Sequence, residues 1–183
     1  MSSIHLAHFC QPLIGLPEIC NSQHMVIIPL GYQAVDAELI LEGPPAAFDL
    51  VLARLALHYV ADLAPVFTNI FRTLAAGAQF VFSVGHPVIT SCDRGWVDGT
   101  PRQDWVVDNY FSTGVRVTDW LGNTVQKYHR TIEDYFHLLQ TAGLRVEELR
   151  EAKPQRNHFD DRQTYERRKR IPLFLIFSSR KPM

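Results

Sequence analysis

The sequence predicts an α/β fold, in which helices pack on a sheet of mainly parallel strands. Two observations predict it. First, Phe48-Asp49-Leu50-Val51-Leu52-Ala53-Arg54 is a short apolar run behind Pro44 and Pro45, the pattern of a strand buried on both faces. Second, this run leads into a strongly periodic helix from Asp62, and another apolar run, Ala78 to Val84, follows that helix. Strand, helix and strand at that spacing form a βαβ unit, whose two strands lie parallel. Ligand crevices of such sheets lie at the carboxyl ends of the strands. Ala53, Arg54 and Leu55 fall at that end.

The totals narrow the function classes. A chain of 183 residues, 46% hydrophobic and 20% charged, makes one globular domain with a real core. A formal net charge of -1 gives no field for nucleic acid or a membrane surface. The three cysteines, Cys10, Cys20 and Cys92, are far apart and make neither a disulfide framework nor a C-x-x-C pair. No apolar segment approaches the roughly 20 residues of a membrane helix. The N-terminus lacks the basic and apolar regions of a secretory leader. A cytoplasmic protein is expected.

Taken in order, residues 1–30 read as an irregular segment with one short strand at Met25 to Ile28, and residues 31–183 as the α/β domain. Gly31 to Glu38 alternates and contains Asp36 and Ala37. Asp62 can accept a free amide of the next helix, and Pro65 is harmless in its first turn. Leu63, Val66, Phe67, Ile70, Phe71 and Leu74 form its apolar stripe, and Gly77 is expected to end it. Gly85-His86-Pro87 breaks the following strand. Residues 88–127 carry Trp96, Trp105, Tyr110, Phe111 and Trp120 among glycines, and read as either a lid or an ordinary packed subdomain. Within them Val115–Thr118 and Val125–Tyr128 flank Gly122-Asn123 as a hairpin. Thr131 with Asp134 approximates a capping box for a helix with Ile132, Tyr135, Phe136, Leu139 and Ala142 on its apolar face. Gly143 ends that helix, and Leu144 to Leu149 is the next strand. Glu151 to Arg170 is heavily charged; its Arg167-Arg168-Lys169-Arg170 run reads as a solvated helix end or loop. Ile171 to Phe177 is the last strand.

Several of these stretches resemble one family. Phe-Asp-Leu-Val at 48–51 precedes Leu-Ala-Leu-His-Tyr-Val at 55–60. Leu74 and Gly77 precede Phe80-Val81-Phe82-Ser83. Tyr-His-Arg-Thr at 128–131 precedes a helix and Ala-Gly-Leu, and Ile-Pro-Leu-Phe-Leu follows the arginine run. The chain from about 31 to 181 is similar to class I S-adenosylmethionine-dependent methyltransferases, in particular the small-molecule branch called methyltransferase type 11. The resemblance implies a Rossmann-like sheet with an antiparallel last strand at its edge, an aromatic-rich insertion, S-adenosyl-L-methionine as cofactor and a small-molecule acceptor. It implies that Asp36 accepts from the adenine amino group and that the Ala37 backbone serves the ring. Ala53, Arg54 and Leu55 would border the cofactor. His86 and His129, with His58 third, are the candidate bases for an acceptor that must lose a proton. Trp96, Trp105 and Tyr110 would wall the acceptor.

The pattern departs from the family at one place. No G-x-G turn exists anywhere in the chain, and there is no acid at the end of a second strand. The sheet is therefore expected to be incomplete, with an apolar edge that Met25 to Leu30, a second copy or a partner chain would cover. A non-catalytic remnant of the fold, acting as a binding or partner subunit, is the alternative reading; a truncated or mis-predicted reading frame accounts for the same gap. A hydrolase lacks its G-x-S-x-G elbow, and no H-x-x-x-H or H-E-x-x-H pair suggests a metal.

Overall fold

The structure, a computed structural model, describes residues 25–28, 44–97, 99, 104–120 and 123–183. In chain order its strands are β1 (Met25–Ile28), β2 (Phe48–Arg54), β3 (Leu74–Gly85), β4 (Gly114–Trp120), β5 (Asn123–His129), β6 (Arg145–Glu151) and β7 (Phe174–Arg180). The helices are α1 (Ala64–Thr73), α2 (Pro87–Thr90), α3 (Ile132–Thr141) and α4 (Arg162–Arg168). Five strands make one sheet in the order β1-β2-β3-β7-β6, and β4 and β5 make a separate hairpin. β1, β2 and β3 run parallel, and β7 runs antiparallel to both β3 and β6. Met25 to Ile28 thus flanks β2 directly.

The core explains the order. α1 and α3 cover one face: Phe67 meets the Phe80 and Phe82 rings at 5.5 and 5.6 Å, and Tyr135 meets Phe82 and Phe177 at 6.0 Å each. Leu50, Leu52, Val81 and Ile176 form a smaller cluster apart from it. The helix starts follow local chemistry. Asp62 accepts the Ala64 amide at 3.0 Å. Thr131 and Asp134 complete a reciprocal capping box, with Asp134 N to Thr131 Oγ1 at 3.0 Å and Thr131 N to Asp134 Oδ2 at 2.7 Å.

Two expectations are corrected. Gly77 does not end α1: Leu74 already leaves the helix in an extended conformation, and β3 begins there. Gly77 instead lies inside β3 at φ +76, where the pairing with β2 slips between Phe48↔Leu74 and Leu50↔Gln79. A bulge needs that left-handed residue. The last strand is not at the edge either. β7 sits between β3 and β6, buried from Leu175 to Ser179, while β6 is the edge and carries Arg145, Glu147, Glu148, Arg150 and Glu151. Charge suits an unpaired edge and not a central strand. Pro172 precedes β7 and removes no rung from it.

Candidate functional site

The carboxyl ends of β2, β3 and β6 point the same way, and the connections leaving them build the site. After β2 the chain turns at Leu55, whose φ of +49 is left-handed and unfavourable for a branched side chain. Its amide donates to the Ser83 carbonyl oxygen at 2.9 Å and lies 3.3 Å from Ser83 Oγ, so β3 holds the strained turn. A 3-10 turn at Leu57–Tyr59 follows. His58 in it is buried and its Nδ1 accepts from the Gly85 amide at 3.4 Å. Arg130 Nη2 donates to the carbonyls of Val60 at 2.9 Å and Ala61 at 2.6 Å. The segment from 55 to 61 is therefore fastened at its start, middle and end.

The three buried histidines share one arrangement. His86 Nδ1 accepts from the Val88 amide at 3.2 Å, so its Nε2 carries the proton toward Glu151 at 3.1 Å. His129 Nε2 lies 2.8 Å from the Tyr110 carbonyl, which can only accept, so Nδ1 accepts from Thr90 Oγ1 at 2.8 Å. Burial lowers all three pKa values, that of His58 to about 3, where Lys127 and then Arg130 add to it. For His86 the Glu151 contact opposes burial, and for His129 the Tyr110 hydrogen bond does. Each is a neutral imidazole whose lone pair already meets a donor.

The insertion and the β6–β7 connection are joined over this end of the sheet. Trp105 Nε1 donates to the Val88 carbonyl at 3.0 Å. Trp96 packs edge-on against Trp105 at 5.3 Å, the two residues forming a β-bridge, and the Arg167 guanidinium lies 5.3 Å from the Trp96 ring centre. Arg170 pairs with Asp104 at 3.2 Å. Both tryptophans are thus engaged in packing the cap. Tyr110 packs on His129 at 5.8 Å and, with Phe111, Ile132, Phe136, Val146 and Leu149, lines an open apolar cavity of about 520 Å³. Phe111 is 87% exposed there. A second cavity of about 350 Å³ lies by Thr113, Tyr128, Arg130, Asp134 and His137.

The structure brings Ala53, Arg54 and Leu55 to the crevice beside His58 and His86, and it carries Trp96, Trp105 and Tyr110 into the cap. Asp36 and Ala37 lie outside the described residues. Sequence reasoning missed α2, α4 and the clamp by Arg130. Pro87 after a strand end signals α2, and Asp161, which accepts the amides of Gln163 and Thr164, signals α4. No local signal points to the clamp, because its partners are 69 and 70 residues away. Among the described residues no group of three or more His, Cys, Asp or Glu could hold a metal ion, and no helix is long and apolar enough to cross a membrane.

A mixed sheet with three parallel strands and an antiparallel β7 inserted before β6, its crevice at the carboxyl ends, defines a Rossmann-like α/β protein of the class I methyltransferase type. A family profile described as a methyltransferase domain matches residues 18–82. A solved structure from Listeria monocytogenes, assigned as an S-adenosylmethionine-dependent methyltransferase, is 32% identical with a TM-score of 0.70 over 79% of this chain and 67% of its own. An S-adenosylmethionine-dependent methyltransferase from Mesorhizobium loti is 37% identical with a TM-score of 0.67 over 76% of this chain and 64% of its own. The chain belongs to the S-adenosylmethionine-dependent methyltransferases. An uncharacterised Haemophilus influenzae protein is 27% identical over 118 residues, and the chain spans 46% of that curated relative.

S-adenosylmethionine is the cofactor of this family. At the described crevice end, several polar groups that could anchor it are engaged within the protein. Three amides at the crevice end are used within the protein: Leu55 N by Ser83, Gly85 N by His58 and His86 N by the Leu173 carbonyl at 2.9 Å. Glu151, the acid at this end of β6, faces His86. Neither a free amide for the methionine carboxylate nor a free acid for the ribose is among these groups.

Proposed function

We propose that the protein is a methyltransferase that moves the methyl group of S-adenosylmethionine to a small-molecule acceptor. The observation that carries this is the 32% identity with a TM-score of 0.70 to a family member over 79% of the chain. The adenine anchors are assigned to Asp36, whose carboxylate would accept from the adenine amino group, and to the backbone of Ala37. Ala53, Arg54 and Leu55 border the same crevice. The chain's own contribution at the described end is placement: methyl transfer gains up to about 7–11 kcal/mol from alignment alone, and the segment 55–61 is fastened to β3 and to Arg130. His86 and His129 are proposed as positioning residues and not as bases. Their acceptor nitrogens are occupied, and protonating His86 breaks its contact to the Val88 amide. Trp96, Trp105 and Tyr110 shape the acceptor side.

The test is a thermal shift of the full chain with S-adenosylhomocysteine, repeated on Asp36→Ala. Ligand at 100 times its dissociation constant stabilises the folded state by about 2.7 kcal/mol. The expected outcome is a clear rise in Tm that Asp36→Ala removes. A cooperative melt that does not move at millimolar ligand overturns the reading, and leaves a binding or partner subunit of the same fold.

A further inference from the structure

We infer that Arg167 and Arg168 form an oxyanion site in the cap, which holds a carboxylate or phosphate group of the acceptor. The inference rests on the methyltransferase reading for the word acceptor, and on the cap alone for the site.

Arg167 and Arg168 are both half-buried on α4. Arg167 Nε is buried without any hydrogen-bond partner. Its guanidinium is held 5.3 Å from the centre of the Trp96 ring, which Trp105 braces from the edge. Arg168 has neither an ion pair nor a hydrogen bond among the described residues, and burial, then Arg167, lower its pKa.

The neighbouring acids are engaged elsewhere. Both oxygens of Asp161 accept amides, of Gln163 and Thr164. Glu166 pairs with Lys169 at 3.1 Å and Asp104 with Arg170 at 3.2 Å. Asp160 is exposed. Among the described residues the Asp161 carboxylate is the one acid whose charge reaches Arg167, and its oxygens are taken by amides. Two half-buried arginines with no ion pair among the described residues are unfavourable, and the orphaned Arg167 Nε adds to that. A flat oxyanion answers both, because a guanidinium fork binds carboxylate and phosphate through paired hydrogen bonds.

The place suits a substrate group. The connection that carries α4 leaves the carboxyl end of β6, and the insertion that carries Trp96 leaves the carboxyl end of β3. Both ends lie on the crevice side of the sheet. A ring of the acceptor next to Trp96 would leave its acidic group at the arginines.

Trp96 gives a direct readout. The full chain is titrated with phenyl phosphate, benzoate and neutral phenol at constant ionic strength, and tryptophan emission is followed. A saturable change with one or both anions and none with phenol or potassium chloride is expected. The stronger anion identifies the group. Arg167→Met/Arg168→Met should abolish the change while circular dichroism stays that of the folded chain, and Arg162→Met, an exposed arginine of the same helix, should keep it. Calorimetry on Trp96→Phe should still detect the anion, since phenylalanine keeps an aromatic face against Arg167 while the reporter is removed. A linear response, or one that persists in the double variant, overturns the site. Anion binding on a chain whose Tm ignores S-adenosylhomocysteine would keep the site and remove the methyltransferase reading.

Discussion

At the scale of single residues the protein uses histidine as a neutral connector. His58, His86 and His129 are 5%, 2% and 0% exposed, and each accepts a hydrogen bond that only the uncharged ring can accept. Their folded pKa values are lowered, that of His58 to about 3, against 6.5 for the free side chain. The unfolded chain therefore takes up protons first as pH falls. Their contribution is complete above pH 6.5 and is lost below it, for His58 until about pH 3. Each group can lose up to about 1.4 kcal/mol per pH unit inside its own window. Urea unfolding between pH 7.5 and 4.5 should show stability falling on the acid side, and His58→Gln should make the slope shallower. An identical slope would remove His58 from the explanation. The sequence offered these histidines as catalysts because it shows where they stand along the chain and not which donors reach them. Gly85 lies 27 residues from His58, and Thr90 lies 39 from His129.

At the scale of elements the local signals served well and the boundaries followed packing. The Tyr-His-Arg-Thr stretch is a joint in which each of the last three residues meets a different element. Tyr128 lies under Arg130 at 5.9 Å, His129 ties the hairpin to α2, Arg130 ties it to the turn after β2, and Thr131 caps α3. The cap was legible, since its two residues are three apart. Thr131→Ala should cost about 1 kcal/mol, read as a lower urea midpoint with an unchanged m-value. No loss would mean that the pair is not formed in solution. The end of α1 was not legible. Gly77 is the usual stop signal, but the chain needed it three residues later, inside β3, where φ is +76. The hairpin and both tryptophans of the cap were visible as residues, but the sequence left lid and packed subdomain open. The Trp96–Arg167 contact joins segments about seventy positions apart.

At the scale of the whole molecule the sheet order decides what holds what. Two parallel strands can be inferred from βαβ spacing, but nothing local tells β7 to enter between β3 and β6. Its burial does: Leu175, Phe177 and Ser179 are 0%, 1% and 0% exposed. Phe177 stacks on Phe82 at 5.1 Å and meets Tyr135 at 6.0 Å, so one ring ties β7 to β3 and α3. Phe177→Ala should cost about 3–5 kcal/mol, and a loss below 1 kcal/mol in equilibrium unfolding would show that β7 is not packed as described. The same placement has a consequence in time. Ser179 Oγ donates to the Phe80 carbonyl across 99 residues of sequence. At about 5–20 residues per second of synthesis, β3 waits about 5–20 s on the ribosome for its neighbour. Throughout that interval an apolar strand bearing Phe80 and Phe82 has one side unpaired, which makes the nascent chain a natural client for chaperones that bind exposed strands.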